Sequence, residues 1–139
     1  MRSESEAEAL RSIFMQRVEA WLAGDLDAYM DCWFDDLVIE LPTGRSVGKE
    51  RYRRLVKAGF AWAEPVSFDV HHIAFEEREG GSDAGDIVLA DWTIRSRRRE
   101  DGVVIGWRGL SVCEIYDRHI TWWREHHLEP PAPINDTLG

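Results

Sequence analysis

The chain has 139 residues, 44% of them hydrophobic and 31% charged, with a formal net charge of -9. That length and apolar content suit one domain with a single core rather than disorder, and the acidic balance argues against a nucleic-acid backbone as partner. No apolar run is long enough to span a bilayer, and Met1 to Glu6 lack the apolar core of a secretory signal, so a cytoplasmic protein with no membrane partner is expected.

In chain order, Leu10, Ile13, Phe14, Val18, Trp21 and Leu22 recur at helical spacing and predict a helix over about Glu6 to Ala23, stopped by Gly24. Asp25 can cap a second helix, whose apolar positions are Leu26, Tyr29, Met30, Trp33 and Phe34. Asp35-Asp36 ends it, and Leu37 to Leu41 reads as a short strand closed by Pro42. After the turn-rich stretch Thr43 to Gly48, a third helix from Lys49 to Trp62 carries Tyr52, Leu55, Val56 and Phe60 inward and an arginine-rich solvated face outward.

Past Pro65 the period changes to two. One long strand spans Val66 to Glu76, and Gly80 to Gly85 forms a hairpin loop. Strands at Ile87 to Arg98, Val104 to Tyr116 and His119 to Leu128 complete a meander. Pro130 to Pro133 ends regular structure, giving one domain over residues 1–130 and a tail over 131–139. Arg95, Arg97, Arg98 and Arg99, beside Glu100 and Asp101, read as a solvated hairpin arm. The fold expected is α+β, a curved antiparallel sheet forming a half-open cone packed on three N-terminal helices, with the cone interior as the natural small-molecule pocket.

Cys32 and Cys113 lie in apolar contexts without metal spacing and are expected as buried free thiols of a reducing compartment. The histidine pairs His71-His72 and His126-His127 cannot chelate one ion from a regular strand, whose neighbours point to opposite faces, so no metal is expected. No glycine-rich phosphate loop stands between a strand and a helix, and no cofactor is called for. Basic residues are arginines apart from Lys49 and Lys57, a bias that suggests a GC-rich bacterial genome.

Several segments carry a resemblance. Ala23-Gly24-Asp25-Leu26-Asp27, Phe34-Asp35-Asp36 leading to Pro42, and Gly48-Lys49-Glu50 opening a helix resemble the nuclear transport factor 2-like (NTF2-like) superfamily in its SnoaL-like branch. Val70 to Ala74, Val88 to Asp91 and Ile120 to Glu125 are similar to limonene epoxide hydrolases, and the likeness runs over roughly residues 8–128. It implies the cone fold, an apolar pocket and a homodimer packed through the outer sheet face.

That hydrolase family uses two pocket carboxylates bridged by an arginine, with a tyrosine and an asparagine holding the attacking water. By resemblance the last-strand carboxylate falls on Glu125. The other carboxylate and the arginine belong to a strand pattern Glu-Arg-hydrophobic-Asp that here reads Asp91-Trp92-Thr93-Ile94, so the arginine becomes Trp92 and the second aspartate Ile94, and the tyrosine and asparagine become Ile39 and Leu41. Leu41 also stands where ketosteroid isomerases place their general base. SnoaL-type cyclases use a later-strand aspartate near Ser111 and Glu114, and neither residue matches it.

On the last strand Thr121, Trp123, Glu125 and His127 share one side by alternation, and Trp122, Arg124 and His126 the other. Glu125, His127 and, on the neighbouring long strand, His72 are the candidate catalytic residues. Ile39, Leu41, Trp92, Ile94, Trp123, Tyr29 and Trp62 are the expected ligand-binding wall. An apolar wall would desolvate Glu125 and suit it to general acid or base work. In the competing reading Glu125 pairs with Arg108 or Arg17 and the histidines satisfy backbone groups. The function expected is cofactor-free acid-base chemistry on a hydrophobic metabolite, of cyclase, isomerase or dehydratase type. The alternatives are a non-catalytic ligand-binding or dimerisation module of the same fold and an epoxide hydrolase with an altered site.

Overall fold

The computed structural model describes residues 4–76 and 85–134. Helix α1 (Glu4–Leu22) buries Leu10, Phe14 and Val18, and Gly24 ends it in the left-handed region at φ +66°. The Asp25 carboxylate accepts the Ala28 N–H at 3.1 Å and caps α2 (Leu26–Met30). This helix is a single turn and does not run on through Trp33 and Phe34 as their spacing predicts. Strand β1 (Trp33–Leu41) takes them instead, because the Cys32 carbonyl accepts the Ile120 N–H at 2.8 Å and Trp33 pairs with Ile120. Trp33 is then buried and Phe34 exposed, the alternation of a strand.

The predicted turn contains a short strand, β2 (Gly44–Val47), hairpinned onto β1. Helix α3 (Lys49–Trp62) has the expected bounds and buries Tyr52, while Leu55, expected inward, is half exposed because the helix offers the core only a narrow face. It carries the chain to the far edge of the sheet. There β3 (Ala63–Glu76), β4 (Asp86–Arg98), β5 (Val104–Tyr116) and β6 (His119–Pro133) return as a meander, in the order β2-β1-β6-β5-β4-β3. Four alternating strands bring β6 back running with β1, so these two pair in parallel and the sheet is mixed rather than wholly antiparallel. Its edges β2 and β3 are not joined, and the open sheet packs on the helices. Most of the predicted glycine-rich loop lies outside the described residues.

The proline stretch extends the last strand instead of ending it. Ile105 pairs with Pro133, and beyond Arg124 the strand has β5 on one side and no β1 partner on the other, a position where missing proline N–H groups cost no ladder bond. Cys32 and Cys113 are buried free thiols, and burial pushes the Cys113 thiol up to about 12. No helix among the described residues is long and apolar enough to cross a membrane.

The arginine-rich arm is tied down at its turn. Arg98 Nε donates to Asp101 Oδ1 at 2.9 Å and the Val103 N–H donates to the same oxygen at 3.1 Å, bonds that hold the Asp101 carboxyl at about 2. Folding therefore favours its ionised form. The contribution is fully present above about pH 4, the range in which an unfolded aspartate ionises, and is lost as pH falls through 2. Asp101→Asn is accordingly expected to lower the melting temperature at pH 5 and to melt with the parent protein near pH 2; a gap that persists unchanged at pH 2 would exclude this linkage.

Candidate active site

The inner face of the sheet is built by alternation. Strand β4 turns Val88, Ala90, Trp92 and Ile94 inward, and β5 turns Ser111 and Cys113 inward beside Gly109. On β6, Trp123, Glu125 and His127 lie opposite Cys113, Ser111 and Gly109. Thr121 leaves that face. The register slips between Glu114 and Ile115, so Thr121 is an extra residue that bonds the Glu114 carboxylate at 2.6 Å, while Ile120 takes the inward place.

Both Glu125 oxygens are engaged. Trp123 Nε1 donates to Oε1 at 2.9 Å and His127 Nε2 bonds Oε2 at 3.0 Å, with the two side chains 15% and 19% exposed. The carboxylate thus belongs to an acid-base pair that meets solvent at its rim. Neither Arg17 nor Arg108 takes it, and Arg108 instead lies 3.6 Å from Asp91. Trp92 lies across Gly109, close enough that any Cβ there would strike the indole. Its Nε1 donates to Ser111 Oγ at 3.1 Å, and its ring meets His127 edge-on at 6.4 Å.

One inward position beyond Gly109, Trp107 forms a wall of a cavity of about 240 Å³ shared with Trp21, Tyr29, Tyr52, Phe60, Trp62 and Ser96. At its inner end the Tyr29 and Tyr52 hydroxyls are 2.8 Å apart. Burial raises both phenols, that of Tyr52 well above its ordinary value, while for Tyr29 the charge and hydrogen bond of Arg17 pull the other way. Both are therefore O–H donors at neutral pH. The field of the Glu125 carboxylate reaches both rings.

The SnoaL-like domain family model matches residues 15–123. The chain belongs to the SnoaL-like family. No curated protein matches it in sequence. Solved structures share the fold. A candidate aromatic ring hydroxylase from Novosphingobium aromaticivorans is 17% identical over 100% of both chains at a TM-score of 0.80. An LEH-like epoxide hydrolase from M. tuberculosis is 23% identical over 87% of this chain and 83% of its own, at 0.68. A ketosteroid isomerase-like protein from Erwinia carotovora atroseptica is 15% identical, covering 92% of this chain and 100% of its own, at 0.69.

Within this SnoaL-like domain the expected wall residues divide by position. Ile39, Trp92, Ile94, Trp123 and Tyr29 are buried in one core, Leu41 packs against it, and Trp62 stands 48% exposed at the cavity mouth. His72 does not join them. A bulge between Val70 and His72 sends both histidines of that pair to the outer face, where His71 bonds Thr93 at 2.7 Å and His72 bonds Asp91 at 2.9 Å. Burial would raise the Asp91 carboxyl, but the His72 contacts overcome it and hold it below its usual range. Asp91 is thus on the opposite side of the sheet from Glu125, and the place of the second carboxylate in the hydrolase pattern is held by the buried Ile94. No group of three or more His, Cys, Asp or Glu is placed to hold a metal among the described residues.

In the sequence alone Arg17 stands out only as a possible partner for Glu125, and Tyr52 only as a core residue. A signal for Arg17 is nonetheless present. It falls in line with Leu10, Phe14 and Trp21 on the inward stripe of α1, an arginine where the period calls for an apolar side chain.

Proposed function

We propose that this SnoaL-like protein is an enzyme that acts on a hydrophobic ring metabolite by cofactor-free acid-base chemistry, with Glu125 as the proton-transferring group. The observation that carries the reading is the Glu125–His127 pair held against Trp123 and the Trp92 ring, its charge felt by the Tyr29 and Tyr52 phenols that line the aromatic cavity. In the step envisaged, the Glu125 carboxylate takes a proton from a carbon next to a substrate carbonyl. The C–H electron pair becomes the enolate, and Glu125 returns a proton to the same or a vinylogous carbon. His127, partly exposed, exchanges that proton with solvent. Isomerisation, cyclisation and elimination share this first step.

We place this enzyme in the cytoplasm of a bacterium, in keeping with its buried free thiols, and as a homodimer joined through the outer sheet face, where Leu89 and Leu110 are exposed.

Incorporation of solvent deuterium into a panel of enolisable bicyclic ketones, neutral and carboxylated, tests the chemistry. At least one member is expected to exchange well above the buffer rate. Buffer-rate exchange throughout would exclude enolisation as the reaction and favour the non-catalytic binding module. Epoxide opening is a separate outcome, read as labelled-oxygen diol from cyclic epoxides incubated in labelled water.

A further inference from the structure

Arg17 is 3% exposed, yet its Nε and Nη2 have no hydrogen-bond partner in the protein. Its guanidinium carbon lies 4.4 Å from the centre of the Trp123 ring, 4.8 Å from Phe14 and 5.2 Å from Phe68. Ring faces ease the burial of a cation, but they accept none of its in-plane N–H bonds. Nearby, the buried Trp33 Nε1 also lacks a partner, and its ring sits 4.8 Å from that of Tyr52. Arg17 and Trp33 offer donors only, while the Tyr29 and Tyr52 hydroxyls are bonded to each other at 2.8 Å and Tyr29 also bonds Arg17. The carboxylate whose field reaches the phenols, Glu125, has both oxygens held by Trp123 and His127. Arg17 Nε, Arg17 Nη2 and Trp33 Nε1 are thus left without an acceptor, and a buried cation with unmet N–H groups is costly.

We infer that Arg17, which stands behind the lining of the aromatic cavity, forms an anion subsite with the Tyr29 and Tyr52 hydroxyls that line it, and that the ligand is a hydrophobic ring compound bearing a carboxylate. The assignment rests on the cavity being the ligand site and adds the substrate class. A guanidinium charged at every accessible pH matches an oxygen that is already anionic when it binds, and its paired N–H groups fit a carboxylate. Of the two tyrosine hydroxyls, kept protonated by burial, one donates to the other at 2.8 Å and the other donates to the carboxylate. Aromatic walls at Trp21, Phe60 and Trp107 accept the ring.

The test compares 2-naphthoate with its neutral isostere 2-naphthamide, by titration calorimetry. The parent protein is expected to bind the naphthoate about tenfold more tightly or better, and Arg17→Met to remove that preference while leaving amide binding near its parental value. Equal affinity for the two probes, or a preference that survives in Arg17→Met, would overturn the subsite. Should Arg17→Met fail to fold, the Tyr29→Phe/Tyr52→Phe pair keeps both rings; it is expected to weaken naphthoate selectively, and equal weakening of both probes counts against the proposal. Naphthoate preference without deuterium exchange into any ketone would sink the acid-base reading and leave the anion subsite standing. Exchange together with equal binding of the two probes would do the reverse.

Discussion

Gly109→Ala is expected to destabilise the protein by about 1–3 kcal/mol or more, the range for overpacking a closed core. A Cβ at this position would lie 2.3 Å from Trp92 Cη2 and 2.7 Å from Cζ2 and Cζ3. Trp92 is 1% exposed, its ring centre lies 5.8 Å from that of Phe68, and its Nε1 is bonded to Ser111. The indole is rigid and cannot yield by bending an outer atom, so ring or strand must move and the Ser111 bond is lost or lengthened. Urea midpoints read the change, and Trp92→Phe combined with Gly109→Ala should recover much of it because the clash needs both partners. An unchanged midpoint for Gly109→Ala would show that Trp92 does not lie across that strand.

The helices were legible because their apolar spacing was regular and their stops were local: Gly24 in the left-handed region, Asp25 at a cap, Gly48 before α3. Trp33 and Phe34 misled because their spacing also suits a helix, while the bond from Ile120 that draws them into the sheet comes from the other end of the chain. The shared face of Trp123, Glu125 and His127 follows from alternation, since the register there is regular. His72 and Thr121 depart from plain alternation because each adjoins a bulge, and one extra residue reverses the face to which its strand neighbours point. The proline segment looked like a tail because proline breaks central strands, and only the pairing order reveals that this part of β6 has lost its β1 neighbour. The Arg17 environment was not legible at all beyond the break in its stripe. Its three ring neighbours come from α1, β3 and β6, elements far apart in sequence.

Glu125→Gln carries the largest expected effect on function. Glutamine keeps the shape of the side chain, its oxygen can still accept from Trp123 Nε1, and its amide can still meet His127 once that imidazole presents its lone pair. Removal of the ionisable group therefore leaves the packing of a 15% exposed side chain nearly intact, with a stability change of about 1 kcal/mol or less. The chemistry is another matter. An amide takes up no proton from carbon at neutral pH, so the exchange rate should fall by about 10²–10⁴-fold, the range that general acid-base groups supply. His127 cannot replace it directly, because its Nε2 is directed at Glu125. The decisive measurement is the rate of solvent deuterium incorporation into the best ketone of the panel, for the parent protein and for folded Glu125→Gln side by side. A fall of at least about a hundredfold with little change in ketone affinity is the predicted result, and equal rates in the two proteins would contradict the assignment of Glu125.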